Sequence, residues 1–203
     1  MDRFFKKDFM YNIYTNLPEV IQTDIENVFP YALRGCGYAF VFALLYISYF
    51  ILCHKKQIKV KLRPISALSI CFILIYFTVM IQRVLLSRVP GSLSEIEVIP
   101  FSTWKKSIWD TAFFIENIIM FIPFGFLFPI AFKKFRSFFV CIGAAFFLSF
   151  SFEMIQLLFA VGFTQTDDII TNVFGSIIGY CAFGSLWIVY KLFAGIKSII
   201  GKK

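Results

Sequence analysis

Polar and apolar positions along this chain do not alternate. Five long runs are almost continuously apolar, at about 31–53, 65–86, 111–132, 138–161 and 169–193. Each reaches the roughly 20 residues that carry a helix across the hydrocarbon core of a bilayer. The short alternating segments of about ten residues that mark a transmembrane β-barrel are absent. The pattern predicts an all-α fold, a polytopic transmembrane helix bundle of about five spans. Residues 1–29 read differently. Phe5, Phe9 and Ile13 recur every four residues, which predicts an amphipathic segment lying in the membrane interface, interrupted at Pro18. This segment has no continuous apolar core of the kind a signal peptide needs. Four regions follow: the amphipathic segment 1–29, an extra span with a basic loop and the start of the second span at 30–79, a membrane domain at 80–193, and a basic tail at 194–203.

Composition agrees with the runs. Of 203 residues, 59% are hydrophobic and 16% charged, against about 25% charged in ordinary globular chains. The net charge of +8 does not form a nucleic-acid patch, because its basic residues gather at the ends of the runs. "HKKQIKVKLR" holds Lys55, Lys56, Lys59, Lys61 and Arg63, "KKFR" holds Lys133, Lys134 and Arg136, and Lys191, Lys197, Lys202 and Lys203 follow the last run. With five spans these clusters share one side. The positive-inside rule makes that side cytoplasmic, the N-terminus outside and the C-terminus inside. The expected location is therefore a membrane crossed several times, with membrane lipids as partners and no nucleic acid. Cys36, Cys53, Cys71, Cys141 and Cys181 stand singly in apolar surroundings, without metal spacing, and read as packing residues. No cofactor is expected.

Several polar residues interrupt the runs near the end predicted to be outside. Ser149, Glu153 and Gln156, at i, i+4 and i+7, form a stripe on one helix face. Glu153 lies about 10–15 Å below the outer end of its span. Asp167 and Asp168 stand at the mouth of the last span and Asn172 one turn further in. Gly175 and Gly179 form a GxxxG on the face of Asp168 and Asn172 that suits close helix packing, within the bundle or in a dimer. Glu116 and Asn117 occupy the outer third of the third span, and Arg83 the last turn of the second. The tight turn 162–167 joining the last two spans packs the Glu153 stripe against the Asp168 face. A carboxylate at such depth costs about 2.5–3.5 kcal/mol to insert, so it needs a proton, a cation or water. Arg83 is the cation closest to Glu153 in depth. The ligand-binding candidates are thus Arg83, Glu116, Asn117, Glu153, Gln156, Asp167, Asp168 and Asn172, with Glu153 and Asp168 the candidates for any acid–base chemistry. Structural roles compete: helix clamping for Glu153, N-terminal capping for Asp167 and Asp168, packing for the glycines. The single histidine, His54, sits in the basic loop, which removes phosphohistidine and Ser–His chemistry. Adjacent Asp167 and Asp168 point about 100° apart on a helix and make no aspartyl dyad by themselves. Oxygen ligands from Glu153, Asp168 and Asn172 have the chemistry for Ca²⁺ or Mg²⁺, but no metal site is assigned.

These residues also carry a resemblance. "NIIMFIPFG" (Asn117, Phe121, Pro123, Gly125), "EMIQ" (Glu153, Gln156) and "DDIITNVFGSIIG" (Asp167, Asp168, Asn172, Gly175, Gly179) keep the spacing of the VanZ-like family of bacterial membrane proteins. "EVIPF", with Glu97, Pro100 and Phe101, resembles the loop that precedes the family's first motif span. The likeness covers roughly residues 80–190 and implies a bacterial cell membrane as the location. Many members carry an Arg in the turn before the Asp pair; here that turn reads Gly162, Phe163, Thr164, Gln165, Thr166. The resemblance implies low-level resistance to glycopeptides such as teicoplanin and to lipoglycopeptides, which act at the outer leaflet on lipid-linked peptidoglycan precursors. The implied partner is such a precursor or a lipoglycopeptide, held by the polar cluster. A membrane enzyme using Glu153 as general acid or base, acting on a lipid-linked envelope substrate, is the alternative. A proton-coupled transporter is weaker, because the polar residues stop in one half of the spans.

Overall fold

The computed structural model of the protein describes the backbone of residues 2–60, 63–88, 90–91, 93–101 and 107–200, with the side chains in those ranges except 2–16, 93–95, 163 and 195–200. The stripe of Phe5, Phe9 and Ile13, the loop residue Lys61 and the tail residues Lys197, Lys202 and Lys203 lie outside the described side chains. Five helices follow one another: α1 (Asp2–Lys55), α2 (Pro64–Ile81, continued by a π-helical turn Gln82–Leu86), α3 (Ile108–Ala131), α4 (Phe138–Phe159) and α5 (Thr166–Ile200). All five are long and apolar enough to cross a membrane, and the protein is a multi-pass transmembrane helix bundle.

The break expected at Pro18 is absent. One helix continues through Pro18 and Pro30, so the interfacial segment and the first span are a single element about 80 Å long. A proline removes one backbone donor, and the neighbouring turns carry the helix across that gap. Residues before Ile21 extend past the end of α2, since Asp24 stands level with Arg83 at the π-helical turn.

The tight turn expected at 162–167 is also absent. Ala160 adopts the left-handed conformation at the end of α4 (φ 48°, ψ 48°) and redirects the chain. Residues Val161–Gln165 then form a strand, β2, paired in parallel with β1 (Leu93–Glu97) from the loop after α2; the register runs from Leu93 opposite Val161 to Glu97 opposite Gln165. Extended backbone beside the mouth of a bundle needs hydrogen-bond partners, and a loop far away in sequence provides them. The Gly91 N–H, donating to the Phe159 carbonyl at 3.2 Å, ties that loop to the end of α4.

α3 and α5 make the most intimate helix contact. A Cβ on Gly175 would overlap the Ile118 carbonyl oxygen, one on Gly179 the Ile122 carbonyl oxygen, and one on Gly125 the Ser176 carbonyl oxygen. The GxxxG therefore serves the bundle, letting the two backbones touch. Met80, Val84, Phe121, Phe124, Cys141, Ala145 and Phe152 fill the centre between α2, α3 and α4. At the end opposite the sheet, Arg136 Nε donates to the Pro129 carbonyl (3.1 Å), its guanidinium lies 4.3 Å from the centre of the Trp187 ring, and the Tyr180 hydroxyl donates to its carbonyl (2.6 Å). One residue of the "KKFR" loop thus fastens α3 to α5.

Gly179→Ala is expected to destabilise the detergent-solubilised protein by about 1–3 kcal/mol, because the methyl group meets backbone rather than a movable side chain. Gly184, with open space around it, is expected to accept alanine without loss. Thermal unfolding of the two variants checks the pair; equal melting temperatures would remove the α3–α5 contact as the cause.

Candidate binding cavity

A cavity of about 1020 Å³ opens at the sheet end of the bundle, enclosed by α1, the end of α2, α3, the two strands and the first turn of α5. Its wall is chemically mixed. Ile21, Ile25 and Val28 of α1, Val79 of α2 and Met120 of α3 are apolar; Arg83, Arg88, Asp24, Glu116, Asn117 and Asp168 are polar or charged, and Asp24 stands on the same face of α1 as Ile21 and Val28.

The end of α2 positions both guanidinium groups. In the π-helical turn, Ser87 N–H bonds back five residues to the Gln82 carbonyl (2.8 Å). Such turns leave carbonyls without helical partners and recur at functional sites. Gln156, buried on α4, donates from Nε2 to the Val84 carbonyl at 3.1 Å and satisfies one of them. Arg83 then reaches Asp24 on α1 at 2.6 Å and lies 3.8 Å from Glu116 on α3. The Glu153–Arg83 pairing expected from depth is therefore replaced by an Arg83–Asp24 pair. Depth along the bundle was equal, but the two side chains point to different helices.

The cation beside Glu153 is Arg88. It follows the π-helical turn, is accessible from the cavity, and donates from Nη1 to the Val161 carbonyl at 3.4 Å. A Cβ at Gly162 would overlap that Nη1 atom, so the absent side chain of Gly162 is the notch in which the guanidinium rests. The turn contains no arginine of its own, yet a guanidinium reaches it from the other loop. Surrounding protein pulls the Arg88 pKa below its ordinary value by desolvation, an effect opposed by the negative charges of Asp168 and Glu153. Arginine remains charged throughout.

The sequence-predicted carboxylates and amides separate into cavity wall and support. Glu116, Asn117 and Asp168 line the cavity, and the Asn117 side chain hydrogen-bonds Asp168 across the α3–α5 contact. Glu153 does not line it: buried on α4, it accepts the Gln165 N–H through Oε2 at 2.9 Å and so holds β2 to α4. Asp167, buried, accepts the Phe101 N–H and holds the loop after β1 to α5. Asn172 donates to Ser149 Oγ at 2.9 Å, joining α5 to the polar stripe of α4. The expected packing of that stripe against the Asp168–Asn172 face is present. Glu97 and Asp110 also line the cavity; Ser107 caps α3, its Oγ accepting the Asp110 N–H (3.0 Å) and its hydroxyl donating to Asp110 Oδ2 (2.6 Å). Among the described residues, no group of three His, Cys, Asp or Glu side chains converges closely enough to hold a metal ion.

Asp24, Arg88, Asp110 and Gly162 are site residues that sequence reasoning missed. Asp24 lay in a segment read as interfacial, and Arg88 in a loop with no periodicity. The one available signal was that each is a polar or small residue beside an apolar run at the same end as the other candidates.

Residues 40–190 match the profile of the VanZ/LLP1 family. The chain is 41% identical over 70 residues to Protein VanZ of Enterococcus faecium; the match takes in 34% of this chain and 43% of that relative. The chain thus spans under half the length of the curated relative it matches. No solved structure matches this chain.

A double-mutant cycle on unfolding separates the observed ion pair from the expected one. Asp24→Asn with Arg83→Gln is expected to show a coupling of about 1 kcal/mol. Glu153→Gln with Arg83→Gln is expected to be additive within a few tenths. Coupling in the second cycle and none in the first would restore the pairing inferred from depth.

Proposed function

The chain belongs to the VanZ/LLP1 family, and from that premise we propose that it lowers the susceptibility of a bacterial cell to glycopeptide and lipoglycopeptide antibiotics such as teicoplanin. It does so by binding a lipid-linked or lipopeptide ligand in the cavity at the sheet end of the bundle. The orientation belongs to the same proposal. With the lysine-rich loops in the cytoplasm, the cavity faces the outer leaflet, where these antibiotics meet lipid-linked peptidoglycan precursors.

The observation that carries the reading is a cavity of about 1020 Å³ whose wall holds both apolar and charged side chains. That mixture suits a molecule with a tail and a polar head, and pockets of this volume hold ligands of drug size. Binding is favoured over acid–base catalysis because Glu153 spends one carboxylate oxygen on the Gln165 N–H and stands outside the wall. Transport is disfavoured by what lies near the cavity's inner end: Met80, Phe121 and Phe124 are buried there in an apolar core, where a proton path needs polar groups.

The test is antibiotic susceptibility in a sensitive Gram-positive host expressing wild type, Glu153→Gln, Glu153→Ala and Asp168→Asn at matched membrane levels. Wild type and Glu153→Gln are expected to raise the inhibitory concentration of teicoplanin about equally, since the amide preserves shape and can still accept the Gln165 N–H. Asp168→Asn is expected to lose most of the protection. Loss with Glu153→Gln alone would favour the enzyme that uses Glu153 as acid or base. Absence of protection by the wild type would refute the resistance reading.

A further inference from the structure

We propose that the cavity selects amphiphiles whose head is a primary ammonium group, over those whose head is a phosphate or another anion. This rests on reading the cavity as a ligand site and names the class of head group it takes.

Charge on the wall is the first ground. Among the described residues of the wall, Asp24, Glu97, Asp110, Glu116 and Asp168 set five carboxylates against the two guanidinium groups of Arg83 and Arg88. Arg83 is already engaged by Asp24 at 2.6 Å. An anion would have to displace that carboxylate and then face Glu116 and Asp168 across the same space. A cation meets the surplus charge directly.

Hydrogen-bond supply is the second. Glu116 Oε1 is buried on the wall and has no hydrogen-bond partner; the same carboxyl approaches Arg83 at 3.8 Å through Oε2 and also meets the Asp24 side chain. This orphan atom on the wall is an acceptor, and a buried acceptor calls for a donor. An ammonium group has three donors and no acceptor, whereas a phosphate at neutral pH is chiefly an acceptor.

Access is the third. Ile25 of α1 and Trp109 of α3 line the cavity and are 59% and 60% exposed on the bundle surface. In a membrane that surface meets lipid, so a tail can remain among acyl chains or along Ile21, Ile25 and Val28 while the head enters between α1 and α3. A free, water-soluble amine gains nothing from these apolar side chains.

The full chain, purified in dodecyl maltoside, is titrated with dodecylammonium and with dodecyl phosphate, and binding is read by native mass spectrometry and by thermal shift. The wild type is expected to bind dodecylammonium saturably and at least tenfold more tightly than dodecyl phosphate. Glu116→Gln is expected to weaken it fivefold or more. Ile25→Trp, at an exposed position that leaves every charge in place, is expected to weaken it by narrowing the entry between α1 and α3. Equal or tighter binding of dodecyl phosphate, no binding of either amphiphile, or wild-type affinity in both variants would overturn the proposal. Lysophosphatidylethanolamine and palmitoyl-lysinamide extend the series. A preference for the first assigns the ammonium to a lipid headgroup, and a preference for the second to a lipopeptide; either result requires the ammonium selectivity proposed. No antibiotic enters this assay. Loss of teicoplanin protection alongside selective ammonium binding would remove the resistance reading alone, and protection without that selectivity would remove this one alone.

Discussion

The backbone contact between α3 and α5 is the constraint on which the rest of the molecule depends. Glycine at 125, 175 and 179 lets carbonyl oxygens of one helix occupy space that side chains of the other would need. In an apolar solvent there is no hydrophobic drive to hold helices together, and close packing must do it. The same contact has a chemical consequence. Ile118, against which Gly175 rests, follows Asn117, and the contact brings the Asn117 amide to Asp168. A packing device thus places two of the polar groups that line the cavity.

Around this axis, polar groups that are costly in a low-dielectric interior are used mostly as fasteners. Glu153 holds β2, Asp167 holds the loop at Phe101, Asn172 holds Ser149, and Gln156 holds the carbonyl of Val84 freed by the π-helical turn. Each satisfied bond removes a desolvation penalty that an apolar residue would never have incurred. Their combined effect is to fix two loops, distant in sequence, across the mouth of one cavity. Arg83, Arg88, Glu116, Asn117 and Asp168 remain on the wall. Fasteners and wall residues occupy the same motifs, so the motif alone does not separate them; position relative to the cavity does.

That separation shapes the functional reading. A carboxylate already holding a backbone N–H is poorly placed to shuttle a proton to a substrate, whereas a wall with both apolar and charged side chains suits an amphiphile. Among the described wall residues carboxylates outnumber guanidinium groups, and the proposed preference for an ammonium head rests on that imbalance.

The sequence by itself determined the class of the protein. Five apolar runs dictate five spanning helices, because a backbone in hydrocarbon must satisfy its own hydrogen bonds. The helical spacing of Ser149, Glu153 and Gln156 dictates a shared buried face, and Gly175 with Gly179 dictates a close neighbour, though not which helix that is. Most of the polar cluster was legible for the same reason: a charged or amide side chain inside an apolar run is conspicuous. What only the tertiary structure decided involves loops and azimuth. The pairing of β1 with β2, the transfer of Arg83 from Glu153 to Asp24, and the seating of Arg88 against Gly162 all join residues from separate elements. Local periodicity encodes how deep a side chain lies along its own helix. It carries no record of which neighbour that helix turns toward, and none of where a loop without periodicity comes to rest.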